Sequence, residues 1–88
     1  MFKEKLLLVG AGGFGRVVSE TATLKYDCAF VDDGVPTGTE VCGVPVIGNI
    51  CDLSELRKKY DALVVTIGNN QLREKIYENA KALKYYLQ

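Results

Sequence analysis

The sequence contains no histidine. That removes the commonest general base, proton shuttle and metal ligand from any chemistry the chain could perform. It has no excess of either charge, because 11 Lys and Arg stand against 11 Asp and Glu. A balanced chain lacks the basic field that nucleic acid or an anionic membrane surface selects, so binding must rest on local groups. Cysteines are few: Cys28, Cys42 and Cys51 are odd in number and lack CxxC spacing. Neither a disulfide framework nor a zinc site is suggested, and buried, reduced thiols are the expectation. No apolar run approaches the length of a membrane span. The run after Lys5 breaks at Gly10, too soon for the core of a signal peptide. The expected setting is the cytoplasm, with no metal, nucleic acid or membrane partner.

What the chain does have is concentrated in Leu6 to Arg16, LLLVGAGGFGR. An apolar run without turn formers reads as a strand buried on both faces. Gly10, Gly12, Gly13 and Gly15 follow at once, and Gly10, Gly12 and Gly15 fit GxGxxG. A strand that enters a glycine loop and then a helix is a phosphate-binding turn: the backbone can approach an anion closely, and the helix start offers unpaired N–H groups and a positive dipole end.

The 88 residues make one small domain, 1–88, long enough to bury about 60–68% of its unfolded surface. Lys5–Val9 is the first strand and Phe14–Lys25 the first helix, with Val17, Val18 and Ala22 toward the sheet. Cys28–Val31 is a second strand ending in Asp32-Asp33-Gly34. Gly34–Gly43 reads as irregular loop, and Gly43–Gly48 as a short strand that Pro45 places at an edge. Asp52 with Glu55 has capping-box spacing and opens a helix to about Lys59, with Asp52 as N-cap. Ala62–Ile67 is another buried strand. Gly68-Asn69-Asn70 turns into a last helix that starts near Asn70 and sends Leu72, Ile76, Ala80 and Leu83 to the core. Alternating strands and helices predict an α/β Rossmann-like half-fold, a parallel sheet of about four strands in the order 3-2-1-4 flanked by helices. Strands one and four then enclose a crevice at their C-terminal ends.

The candidate ligand residues are those that this order gathers: Gly10, Gly12, Gly13, Phe14 and Gly15 on one lip, Gly68, Asn69 and Asn70 on the other, with Asp32 and Asp33 beside them. A carboxylate at Asp32 can accept from a ribose hydroxyl or a base N–H. Only one of Asn69 and Asn70 can be the helix N-cap, which leaves the other amide for a ligand. Arg73, one turn into the last helix, can reach phosphate or sugar oxygens. Adjacent Asp32 and Asp33 point to opposite sides of an extended chain and do not form an acid–base pair. The available chemistry is recognition, with no catalytic residue.

Four segments in order, LLLVGAGGFGRVV, FVDDG, VCGVPVIGN and DALVVTIGNNQLREKIYE, resemble the N-terminal domain of bacterial nucleotide-sugar acetyltransferases that act on sialic acid or on UDP-4-amino sugars. The resemblance covers nearly the whole chain. It implies that the domain holds a UDP-sugar, the diphosphate by the glycine loop, Asp32 and Asp33 near uracil or ribose, and the Gly68–Asn70 turn close by. It also implies that acetyl-CoA and the catalytic histidine belong to a C-terminal left-handed β-helix, which builds a trimer and whose repeats do not begin within these residues. The domain by itself is then expected to be a monomer or weak dimer that binds without catalysing. The family commonly carries histidine in the loop, as GAGGHG, where this chain has Phe14. Two other readings fit the residues: the NAD(P)-binding domain of an oxidoreductase, for which the glycine loop with Asp32 serves equally well, and a non-catalytic domain that has kept the fold without a ligand.

Overall fold

The structure, a computed structural model, describes residues 3–88. Its elements run β1 (Glu4–Val9), α1 (Gly13–Ala22), β2 (Tyr26–Val31), β3 (Glu40–Val41), β4 (Val44–Gly48), a 3-10 turn (Ile50–Asp52), α2 (Leu53–Leu56), β5 (Ala62–Val65), α3 (Asn70–Ala82) and β6 (Tyr86–Leu87). The sheet has six strands in the order β3-β4-β2-β1-β5-β6. The four strands expected from sequence form its centre, β4-β2-β1-β5, in the expected order and all parallel.

The sheet is wider than about four strands because each edge gains a strand of two residues, too short to show any periodicity. At one edge β3 and β4 form an antiparallel hairpin, Val41 opposite Val44. Its turn residues Cys42 and Gly43 have φ of 52° and 79°, the positive pair that a two-residue hairpin turn demands. Cysteine stands where Asn or Asp usually marks such a turn, which is why 34–43 reads as plain loop. The hairpin also covers β4, so Pro45 is not on an edge. Val46 makes the cross-strand bonds instead, donating to the Thr39 carbonyl and accepting from the Gly38 N–H, each at 2.8 Å.

At the other edge α3 stops in a Schellman turn. Lys84 adopts φ 70°, its N–H donates to the Lys81 carbonyl at 3.0 Å and that of Tyr85 to the Ala80 carbonyl at 3.1 Å. The reversal lays Tyr86–Leu87 parallel to β5.

Helices cover both faces, as the unbroken apolar strands require. Leu7, Val9, Ala29, Val31, Leu63 and Val65 pack with Leu53 of α2 and Ile76 and Ala80 of α3. Leu6, Leu8, Cys28, Phe30 and Val46 pack on the opposite face, under Val18 and Ala22 of α1. The α1 face differs by one residue from the expected one. Gly15 and Ser19 are buried, whereas Val17 is 65% exposed. Two local features set that rotation. The absent side chain of Gly15 lets the helix lie against the Gly10 backbone just past β1 and the Phe30 ring of β2, and the Ser19 hydroxyl satisfies itself on the Arg16 carbonyl at 2.8 Å. In α3, Leu72 is 42% exposed and does not join Ile76 and Ala80.

The segment after β4 also departs from expectation. Asp52 is the N-cap of α2 as expected, but its side chain makes no cap bond to that helix; its Oδ2 reaches back to accept the Asn49 N–H at 2.8 Å, and the helix spans only four residues, short of Lys59. Of the thiols, Cys28 is buried, and that burial pushes its pKa up; Cys42 and Cys51 are exposed, contrary to the expectation of buried thiols.

Tyr85 anchors the C-terminal turn. Its ring is buried, and its hydroxyl donates to the Leu53 carbonyl at 2.7 Å. Burial pushes its pKa up to about 12 from 10.0, with the Arg57 guanidinium opposing. The folded state therefore keeps a proton that the unfolded chain loses first. This contribution to stability is full below about pH 10 and is lost as the pH rises toward 12. Tyr85→Phe is expected to flatten that alkaline decline, measured as urea midpoint against pH.

Candidate functional site

The register brings the predicted residues to one edge. Val9 pairs with Val31 on one side and Val65 on the other. One residue further on, the Gly10 N–H donates to the Val31 carbonyl, the Thr66 N–H to the Val9 carbonyl and the Asp32 N–H to the Gly48 carbonyl, at 2.9, 2.9 and 3.1 Å. The four central strands thus end level. Gly10–Gly15, Asp32 and Asp33, and Gly68–Asn70 leave from that common edge. Helix α1 departs over one face and α3 over the other, which opens the crevice where sheets of this kind bind ligands.

The loop glycines divide by function. A Cβ on Gly10, whose φ is +119°, would stand 2.7 Å from Ile67 Cγ1, and one on Gly15 would stand 2.0 Å from the Gly10 carbonyl oxygen. These two are packing requirements. A Cβ on Gly12 or Gly13 would meet nothing within 4 Å. The fold itself makes no demand for glycine there, and both positions are exposed.

Gly12 is the N-cap of α1, no side chain among the described residues caps that helix, and its first turn holds no acidic residue. Its leading N–H groups are therefore open to an anion. Helix α3 is different: the Asn69 Oδ1 accepts the Leu72 N–H at 2.9 Å, so Asn69 rather than Asn70 is the cap. Asn70 instead accepts a bond from the Arg73 guanidinium at 2.7 Å, which holds that cation beside the helix start. Phe14, in the first turn of α1, is half exposed at the lip, and Gly68 lies exposed at the other.

Both carboxylates already have backbone partners. Asp32 Oδ2 accepts the Ala11 N–H at 2.7 Å, and Oδ1 accepts those of Gly34 and Val35 at 2.7 and 3.1 Å. Asp33 Oδ1 accepts the Ile50 N–H at 2.8 Å. Sequence reasoning missed Thr66, which is 3% exposed. Its hydroxyl lies 2.6 Å from the Gly10 carbonyl oxygen and 3.1 Å from that of Val9. A threonine inside an apolar strand was the only signal, and its value depends on a contact 56 residues away in the chain.

Open grooves of about 470 and 570 Å³ lie at the opposite edge, one by Lys5, Lys59 and Asp61, the other by Lys3, Tyr26 and Asp27. They gather side chains from strand starts, where such sheets do not hold their ligands.

Over residues 5–80 the sequence matches the family described as the PglD N-terminal domain. The chain belongs to that family. Among solved structures, this PglD-type domain is similar to the acetyltransferase domain of PglB from Neisseria gonorrhoeae FA1090, determined with acetyl coenzyme A. The TM-score is 0.81 and the identity 41%, over 94% of this chain and 41% of that one. It is similar also to PerB from Caulobacter crescentus, determined with CoA and GDP-perosamine, at TM-score 0.79 and 32% identity over 92% of this chain and 39% of that one. The chain thus spans about two fifths of the length of these acetyltransferases. The Rex-family repressor RSP, in its complex with beta-NADH, has TM-score 0.73 at 12% identity, over 98% of this chain and 52% of that one; this likeness is one of fold alone. No curated protein matches the chain.

Among the described residues, no helix is long and apolar enough to cross a membrane, and no group of three His, Cys, Asp or Glu side chains gathers to hold a metal.

Proposed function

We propose that this PglD-type domain binds a nucleotide-diphosphate sugar, a UDP-sugar first among them, as the recognition part of an acetyl-CoA-dependent sugar acetyltransferase of bacterial glycan or polysaccharide synthesis. The observation that carries this reading is the start of α1: an uncapped helix N-terminus behind two glycines, Gly12 and Gly13, that packing does not require. Such a turn receives an anion on backbone N–H groups and allows its oxygens to come close. Asp33, an exposed residue with a single bond to Oδ1, would accept from a base or ribose, while Asn70 and Arg73 would supply donors on the other lip. Support for a sugar nucleotide comes from PerB, which was determined with GDP-perosamine and CoA, and support for acetyl transfer from PglB with acetyl coenzyme A. In this proposal the chain's own residues bind and orient the sugar nucleotide. Acetyl-CoA and the transfer step lie with a further part of the enzyme, and residues 1–88 alone form a cytoplasmic monomer or weak dimer.

Calorimetric titration of the purified chain with UDP, UDP-N-acetylglucosamine, GDP and NAD tests this. Binding of the uridine ligands without NAD is the expected result. Preference for GDP would change the base and keep the class, whereas preference for NAD, or silence with all four, would overturn the reading.

A further inference from the structure

The glycine loop is gripped from both neighbouring strands. From the β2 side, Asp32 takes the Ala11 N–H on one oxygen and binds its own turn, at Gly34 and Val35, with the other. From the β5 side, the buried Thr66 hydroxyl donates to the carbonyl of Gly10. The two grips fall on consecutive residues of a stretch in which Gly10, Gly12 and Gly13 are three of four. A backbone so rich in glycine loses much freedom when it is fixed. If it were loose, an arriving anion would have to order it at the cost of affinity.

We propose that Asp32 and Thr66 are positioning residues for the diphosphate: they fix the loop so that α1 presents its open N–H groups, and neither reads the nucleoside. The inference rests on the nucleotide-sugar reading above. It differs from what the dinucleotide fingerprint suggests, in which the acid at the end of the second strand accepts from a ribose hydroxyl. Here backbone N–H groups occupy both oxygens of that acid. Thr66 lies beneath the loop at 3% exposure and its hydroxyl faces the Gly10 and Val9 carbonyls, so any effect it has on binding must pass through the loop.

The test compares a nucleotide with its nucleoside, UDP with uridine, by NMR titration of the whole chain and of Asp32→Asn, Thr66→Val and Thr66→Ser. In Asp32→Asn one side-chain oxygen becomes an N–H donor, so one of the two backbone anchors is lost. The Kd for UDP is expected to rise tenfold or more, while that for uridine stays within twofold. Removing a negative charge would by itself tighten an anion, so a loss cannot be electrostatic. Thr66→Val, of the same shape without the hydroxyl, is expected to show the same split, and Thr66→Ser to restore UDP binding to within twofold.

Equal losses of UDP and uridine in Asp32→Asn would mean a direct nucleoside contact and overturn the proposal. So would unchanged or tighter UDP binding in Asp32→Asn or in Thr66→Val, the latter deciding if Asp32→Asn does not fold. A wild-type chain that binds neither UDP nor GDP is a different outcome: it removes the nucleotide-sugar reading itself, and the proposal with it.

Discussion

Gly12→Val is expected to abolish binding of the sugar nucleotide, raising the Kd at least a hundredfold, in a protein that still folds. The side chain would project where the loop must approach the diphosphate, and a branched Cβ keeps oxygens off the N–H groups behind it. Its effect on the fold is small for reasons visible in the structure. A Cβ at Gly12 meets nothing within 4 Å, and the backbone there, at φ −79° and ψ −162°, is extended, a region open to β-branched residues. Valine is a poorer N-cap than glycine by about 0.5–1 kcal/mol, and the stiffer unfolded chain offsets part of that. The fall in Tm should therefore stay within about 8 °C for a domain of this size. Circular dichroism melting and calorimetry with UDP and UDP-N-acetylglucosamine decide the matter together. A folded Gly12→Val protein that keeps wild-type affinity would remove the glycine loop as the diphosphate site.

How much of this was legible in the sequence varies with the length over which each signal acts. The four central strands are continuous apolar runs and could be ordered from connection rules alone. Level strand ends then follow from parallel pairing, so the gathering of Gly10–Gly15 and Gly68–Asn70 was readable too. The edges were not, because Glu40–Val41 and Tyr86–Leu87 are too short for any pattern and depend on Cys42 and Lys84 adopting positive φ against their type. The sequence pattern places the facing of α1 one residue off, since Val17 is the more apolar choice and only contact with the sheet shows that Gly15 and Ser19 lie beneath. Asp32 was legible as a carboxylate at the right place, but not as one whose oxygens belong to the backbone. Its partners Ala11 and Val35 lie on different segments, and composition carries no record of such a bond.

Gly15→Ala, three residues from Gly12 in the same motif, is expected to do the reverse: it should damage the fold first and binding only as a consequence. The added Cβ would sit 2.0 Å from the Gly10 carbonyl oxygen, 3.0 Å from its carbon and 3.2 Å from Cε1 of Phe30. None of these is the free end of a flexible chain. Gly10 is main chain fixed by the Val31 carbonyl and Thr66, and Phe30 is fully buried. Relief can come only if α1 lifts from β1, which opens the core beneath Val18 and Ala22. Forced overpacking of this kind costs about 3 kcal/mol, a large share of the roughly 4–13 kcal/mol that a chain of this length holds. Thermal unfolding should show Tm lower by about 12–24 °C, and a shift under 5 °C would refute the account of Gly15 as the contact between helix and strand. The two glycines thus answer separate demands that one spacing rule joins. Gly15 lets the helix lie against the sheet, and that placement brings the α1 N-terminus level with the ends of β2 and β5. Gly12 then leaves that terminus accessible, so a variant at either position loses the ligand, but only Gly15→Ala loses it by way of the core.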